Sequence, residues 1–283
     1  MRIANLRGRL SLLTEGDGAI DVAGASGGRF GPDPQSPFGQ WDEFAAWASQ
    51  LHEAGATPYR PEELGPPVPR PDQVFAIALN YRDHADEARL ELPAEPPTFT
   101  KFPSCLTGPN GAVALSGEAV DWEVELVVVI GREGHRVSAA DAWSVVAGVT
   151  VGQDISDRVV QMRPPAPQFS LGKSFPGYGP IGPVIVTVDE LDDPDDLELG
   201  CSVNGEEVQK GRTSDMIFSV PELIARLSSV VTLRPGDLIF TGTPSGVGAA
   251  RTPPRFLRPG DVLTSYIQGV GEMRHVFEPG SAA

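Results

Sequence analysis

The sequence predicts an α+β chain, mainly β, built from a small N-terminal module and one larger domain. Apolar segments of strand length recur from residue 74 onward, and 32 glycines and 28 prolines fall between them without forming repeats. That spacing marks turns in a globular protein and not a disordered chain. The stretch Pro58–Pro71 (PYRPEELGPPVPRP) repeats proline often enough to forbid both helix and central strand, so it is the natural linker. Two units follow, residues 1–66 and 67–283, and the chain is long enough to bury a full core.

Taken in order, residues 2–23 alternate and turn at Glu15-Gly16-Asp17-Gly18, a hairpin pattern. Gln40–Ala54 places Trp41, Phe44, Ala45, Trp47 and Leu51 at helical spacing. Beyond the linker, 74–79 is a short apolar strand leading into the polar segment Asn80–Glu87, which has helical potential. Further strands are expected at 125–130, 147–151, 184–187, 198–203, 237–241 and 262–267. Ser219-Val-Pro-Glu222 is a capping box that starts a helix through Ser228, with Pro221 tolerated in the first turn. Leu-Arg-Pro-Gly-Asp occurs at 233–237 and again at 257–261; Pro-Gly-Asp before an apolar strand is turn chemistry and needs no duplicated unit.

The formal charge of −16 excludes a phosphate-backbone partner, since no basic stripe is present. Cys105 and Cys201 stand far apart in unrelated contexts, which suits two buried thiols in a reducing compartment. No apolar run approaches membrane-spanning length, and no h-region follows the basic start. A soluble cytoplasmic protein is expected.

The run Asp121-Trp-Glu123-Val-Glu125-Leu, followed by Val127-Val-Val-Ile-Gly131, puts three carboxylates at the front of a strand too apolar to lie on the surface. Alternation places Asp121, Glu123 and Glu125 on one face, where burial and mutual repulsion both penalise their charge. A bound cation would relieve both, although a solvated strand edge is the other reading. Asp154, just past another apolar strand, could add a carboxylate; with no His or Cys nearby, such a set suits Mg2+ or Mn2+. His84 and Glu87, at i and i+3, would meet on one helical turn, and a Glu on one ring nitrogen raises the basicity of the other; a surface pair is the alternative. His52, His135 and His275 have no comparable partner in the sequence. Lys173 lies in Leu171–Pro183, a segment so rich in Gly and Pro that neither helix nor central strand is expected, and a Lys on such a loop could stabilise an oxyanion or simply face solvent. Thr241–Gly248 is a second such loop, with hydroxyls and backbone N–H groups able to grip a small anion, but it lacks the ending of a P-loop.

In order and wording, NYRDHADE, VDWEVELVVVIG, TVGQDISDR, LGKSFPGYGPIGP, LRPGDLIFTGTPSGVG and GEMRH resemble the successive signatures of the fumarylacetoacetate hydrolase family, of the acylpyruvate hydrolase and 2-hydroxyhepta-2,4-diene-1,7-dioate isomerase type. They span residues 74–277, and residues 1–66 look like the variable N-terminal module of that family. The resemblance implies a mixed β-sandwich roll, a homodimer, and Mg2+ or Mn2+ held by Glu123, Glu125 and Asp154. It further implies His84 and Glu87 as a water-activating pair and Lys173 as oxyanion donor. Arg158 and Gln161 would touch substrate or lid, Thr243 would hold a substrate oxygen, and Asp121 would support the ligands from behind. Gln153 departs from the Asn that many members carry before the ligand Asp. The lid segment Ala85–Leu92 carries nothing that identifies a substrate tail.

Three functions are compatible with these residues. The first is hydrolytic C–C cleavage of an acylpyruvate-type 2-oxo acid, with water activated at His84. The second uses the same ion without water, as an oxaloacetate-type decarboxylase or a 2-oxo-diene-dioate isomerase. The third is a binding protein that keeps the fold without the chemistry.

Overall fold

A computed structural model describes residues 1–16, 18–51 and 55–280. Its main sheet runs, in spatial order, Thr57–Pro58, Gly18–Asp21, Arg9–Leu13, Arg2–Leu6, Gly179–Val186, Val146–Gln153, Val124–Ile130, Leu238–Phe240, Val74–Ile77 and Thr98–Thr100. A second sheet has the order Glu206–Arg212, Glu198–Val203, Val262–Ile267, Gly271–Glu278 and Asn110–Ala114. Strands outnumber helices, and both sheets mix parallel with antiparallel pairs.

The centre of the molecule is Val124–Ile130, buried at every position and flanked antiparallel on both edges. A strand covered on both faces needs no polar alternation, which explains its unbroken apolar run. Its two faces serve different cores. Val124, Leu126, Val128 and Ile130 pack with the second sheet's Leu199 and Leu263, while Val127 and Val129 pack with Ile3, Leu10, Phe44 and Phe240. By alternation Glu125 falls on the Val127 and Val129 face.

That second core draws on the N-terminal module. Residues 1–66 do not stand apart: Arg2–Leu6 pairs antiparallel with Gly179–Val186, so the main sheet is continuous across both predicted units. The hairpin forms as expected between Arg9–Leu13 and Gly18–Asp21, with turn residue Asp17 outside the described residues. The aromatic helix spans Trp41–Ala48; residues 52–54, including His52, also lie outside them.

The capping box is present, with Ser219 N donating to Glu222 and Glu222 N donating to Ser219. The segment around Lys173 departs from expectation. Phe169–Gly172 forms one helical turn, and Gly179–Val186 is a central strand despite Pro180 and Pro183. Pro183 is tolerated because pairing with Val146–Gln153 shifts register between Val149 and Val151, opposite the Gly182-Pro183 stretch, and Pro180 lies beyond that ladder, opposite Thr107. Three strands of the second sheet carry no clear apolar signal. Glu206–Arg212 is mostly polar, Asn110–Ala114 is short with Gly111 at φ 137°, and Gly271–Glu278 mixes charges into its alternation.

Close approach at the sheet centre depends on glycine. A Cβ on Gly148 would lie 2.3 Å from the carbonyl oxygen of Val186 on the neighbouring strand. Backbone cannot yield as a side-chain tip does, so Gly148→Ala is expected to lower unfolding stability by about 1–3 kcal/mol in urea titration. An unchanged midpoint would contradict the packing described.

Candidate active site

Glu123 and Glu125 enter the site from the start of the central strand, and Asp154 follows directly on Val146–Gln153. The Asp154 N–H donates to the Glu123 carbonyl (2.9 Å), which locks the two segments together at this point. All three carboxylates are buried, and one oxygen from each lies within 4.8 Å of the others. Asp121 stands apart from this trio because the strand is interrupted at Trp122 and Glu123: Val120–Asp121 pairs with Ser156–Asp157 in a short ladder of its own.

Three cations answer these acids. Lys173 Nζ donates to Glu123 Oε2, Asp154 Oδ2 and Ser156 Oγ, each at 2.7 Å. Arg158 lies 2.7 Å from Glu123 Oε1 through Nη1 and grips Asp121 through Nε (2.9 Å) and Nη2 (2.7 Å). Nη1 also donates to Gln161 Oε1 at 3.0 Å. Lys101 is the third, and sequence reasoning missed it. Its buried Nζ donates to Asp154 Oδ1 (2.6 Å), the Tyr178 carbonyl (3.1 Å) and the Lys173 carbonyl. Its one sequence signal is position: it ends the strand Thr98–Thr100, on the same side as Phe99, whose ring lies 5.4 Å from Lys173 Nζ.

The loop 241–249 supplies the remaining partners. The sequence suggested a loop able to grip a small anion; five of its N–H groups are turned onto the chain's own carboxylates. Gly242 N donates to Glu125 (2.8 Å), Ser245 N to Asp83 (3.3 Å), Gly246 N to Glu87 (3.1 Å), and Gly248 N with Ala249 N to Asp121 (2.7 and 2.9 Å). Its hydroxyls are engaged in the same way. Thr243 Oγ1 donates to the Val124 carbonyl (2.9 Å) and accepts from Gln209 Nε2 (2.8 Å), which ties the loop to the acidic strand. Gln153 takes up the backbone as well, accepting from Glu123 N at 2.9 Å.

His84 and Glu87 lie on the helix Arg82–Ala88, with Nδ1 3.3 Å from Glu87 Oε2. The imidazole lies within electrostatic reach of Glu123, whose carboxyl a charged His84 would help to lower after the larger effects of burial, Lys173 and Arg158. His135 is exposed, and His275 is buried against the Gly108 carbonyl, away from these residues.

Electrostatics separate the two glutamates. Burial works to raise the Glu123 carboxyl, but Lys173 and Arg158 outweigh it and hold it below the ordinary value. Burial, and then the negative charges of Asp154 and Glu123, push Glu125 well above its ordinary value. Charge balance gives the reason: Asp121, Glu123, Glu125 and Asp154 are four acids against Lys101, Lys173 and Arg158. A proton on Glu125 makes the cluster neutral. The buried Tyr81 hydroxyl, which has no hydrogen-bond partner among the described residues, feels the same excess, its ionisation opposed by burial and then by Glu125.

These residues fit a hard divalent cation. The donors are all carboxylate oxygens, they converge, and Glu125, raised by burial and then by Asp154 and Glu123, makes no ion pair among the described residues and would gain from such an ion's charge.

The chain is similar to known proteins over most of its length. Residues 73–278 match the family model for the fumarylacetoacetate hydrolase C-terminal domain. Over 207 residues the chain is 48% identical to the mitochondrial oxaloacetate tautomerase FAHD2A of Homo sapiens, covering 72% of this chain and 66% of that protein, just under two thirds of its length. The structure superposes on a candidate HpcE protein of Mycobacterium smegmatis with a TM-score of 0.95 at 55% identity, covering 99% of this chain and all of the other. It also matches maleylpyruvate hydrolase from Sphingobium sp. SYK-6 in complex with manganese(II) and pyruvate, with a TM-score of 0.77, 30% identity and coverage of 99% and 100%.

Because Glu125 must give up its proton to ligate, cation binding is expected to release a proton and to strengthen as pH rises. The sign for stability runs the other way in the metal-free protein: a carboxyl raised above 4.5 binds more protons folded than unfolded, so its contribution falls as pH rises beyond that value. Thermal melts with and without Mn2+ at pH 6 and pH 8 should therefore show a larger cation-induced rise at the higher pH, the ion contributing about 2.7 kcal/mol in all wherever it stands at a hundredfold its Kd. Glu125→Gln should abolish that rise. Lys101→Met removes one partner of a buried ion pair and should cost about 3–5 kcal/mol in urea unfolding; a loss under 1 kcal/mol would show that Lys101 does not hold Asp154.

Proposed function

The chain belongs to the fumarylacetoacetate hydrolase family, and on that premise we propose that it interconverts the keto and enol forms of a small 2-oxo diacid of the oxaloacetate type. The observation that carries this choice is Lys173. An ammonium has three N–H groups, and here all three are used, on Glu123, Asp154 and Ser156. Hydrolysis of a C–C bond needs a donor free for the oxyanion of a tetrahedral intermediate. Keto–enol exchange needs only a base and a site that favours the enolate.

His84 is the base. With Nδ1 against Glu87, the ring's other nitrogen, Nε2, is free to take a proton from carbon 3 of the keto acid. Returned to the carbonyl oxygen, the same proton completes the enol, so atoms balance and no water is consumed. Glu87 stabilises the imidazolium while it carries that proton, and Gly246 N fixes the Glu87 carboxylate in turn. A divalent cation held by Glu123, Glu125 and Asp154 would supply positive charge to the 2-oxo and carboxylate oxygens of the substrate. Lys101, Lys173 and Arg158 keep Glu123 and Asp154 oriented and spread their charge, and Gly242 N holds Glu125.

A second reading is C–C hydrolysis, supported by the likeness to maleylpyruvate hydrolase. It requires Lys173 to release one of its three acceptors when substrate arrives.

Ketonisation of enol-oxaloacetate, followed by the loss of enol absorbance with Mg2+, with Mn2+ and with EDTA, separates the readings when run beside an acylpyruvate assayed for released pyruvate. Acceleration of the first without pyruvate from the second is expected, and His84→Ala should lower kcat by about a hundredfold or more. Pyruvate release at a rate matching or exceeding tautomerisation would favour the hydrolase, and turnover of neither would leave a binding protein.

A further inference from the structure

The geometry points to a contact between Asp83 and Ser245 as the latch that seats the helix Arg82–Ala88, and with it His84 and Glu87, beside the carboxylate cluster. The catalytic part of this inference rests on the reading of His84 and Glu87 as the proton-handling pair.

A helix of seven residues does not hold its shape alone and depends on tertiary anchors. Tyr81 and Ala85 provide buried ones on its inner side. The outer side is tied by carboxylates. Asp83 Oδ2 accepts from Ser245 Oγ at 2.6 Å and from Ser245 N at 3.3 Å, while its Oδ1 accepts from His84 N at 2.8 Å. One side chain therefore joins the backbone of the base to the loop 241–249. One turn later Glu87 receives Gly246 N on both oxygens at 3.1 Å.

The loop is a rigid counterpart. Gly246 has φ 102°, and a Cβ there would lie 2.1 Å from the Val208 carbonyl oxygen, so only glycine can aim this N–H. Upstream, Thr243 donates to the Val124 carbonyl and Gly242 to Glu125. Asp83, Ser245, Thr243 and Val124 thus form a short mechanical path from the helix to the strand that carries Glu123 and Glu125. Ser245 and Asp83 touch neither the carboxylate cluster nor the imidazole ring; they are positioning residues, and their effect is on where His84 stands.

Four variants of the full chain test this: Ser245→Ala, Asp83→Asn, the two combined, and Ser245→Thr, which keeps the hydroxyl. Deuterium exchange at residues 82–90 is expected to quicken by about tenfold in either single variant, a charge-assisted hydrogen bond having been lost. With oxaloacetate and Mg2+, kcat should fall by about tenfold while KM stays within about twofold. Because both residues act through one contact, the double variant should lose no more than either single one. Ser245→Thr should restore exchange and kcat, and the thermal midpoint should not move, because Asp83 is exposed. Unchanged exchange in both single variants, additive losses in the double one, or a kcat indifferent to all of them would overturn the latch. Exchange needs no substrate, so a wild-type protein inactive on oxaloacetate would sink the proposed reaction while exchange still decided the seating of the helix.

Discussion

Everything around the site follows from the burial of four carboxylates at one end of an apolar strand. Asp121, Glu123, Glu125 and Asp154 are each 6% exposed or less, and an uncompensated buried charge costs far more than a domain can spare. The fold meets this demand twice over. Lys101, Lys173 and Arg158 neutralise three of the acids, and the loop 241–249 turns successive N–H groups onto acids from three different segments. Its glycines are the means: Gly242 and Gly246 have φ near 100°, and a Cβ on Gly248 would fall 1.9 Å from the Arg255 carbonyl oxygen. A loop shaped in this way spends five of its N–H groups, those of Gly242, Ser245, Gly246, Gly248 and Ala249, on the protein's own carboxylates. Such cross-linking also makes the elements interdependent, since the helix bearing His84, the strand bearing Glu125 and the ladder bearing Asp121 are all referenced to one backbone segment.

What could be read from the chain in advance was whatever has a local period or a short spacing. The acidic approach to a strand, the i to i+3 spacing of His84 and Glu87, and the capping box at Ser219 each lie within a few residues. So do the strands with unbroken apolar runs. What stayed hidden is long-range. Lys101 meets Asp154 across 53 residues, and nothing near Lys101 announces a buried ammonium. The Lys173 segment looked too rich in Gly and Pro for a central strand, yet a shift in ladder register absorbs Pro183. The donors at 241–249 were visible but their acceptors were not, because donor count says nothing about which partner arrives. Thr243 illustrates the same gap, its hydroxyl being drawn to Val124 and Gln209 by tertiary packing.

The N-terminal module shows how far this interdependence reaches. Ile3, Leu10 and Phe44 pack on the face of the central strand that also carries Val127, Val129 and, at its mouth, Glu125. Because Arg2–Leu6 completes the ladder on Gly179–Val186, removal of the module would expose that strand's edge and open one wall of the core behind the acids. The module is therefore part of what keeps water from the carboxylates, whatever else it does.

Charge counting also explains why a cation and a proton are alternatives here. Four acids and three bases leave the cluster one negative charge in excess, and burial together with that excess raises the Glu125 carboxyl and favours its proton. A 2-oxo diacid brings two more negative charges into a protein whose net charge is already −16. Against the protonated cluster the dianion would stand uncompensated in a buried site, which burial makes prohibitive. Exchange of that proton for a divalent ion leaves the site with one positive charge, and the dianion then returns it to a single negative charge, the same excess it carries with every acid ionised. For the proposed reaction a cation held by Glu123, Glu125 and Asp154 would then govern admission of the substrate as much as its reactivity, and substrate and metal affinity should be coupled through Glu125 before any bond is made or broken.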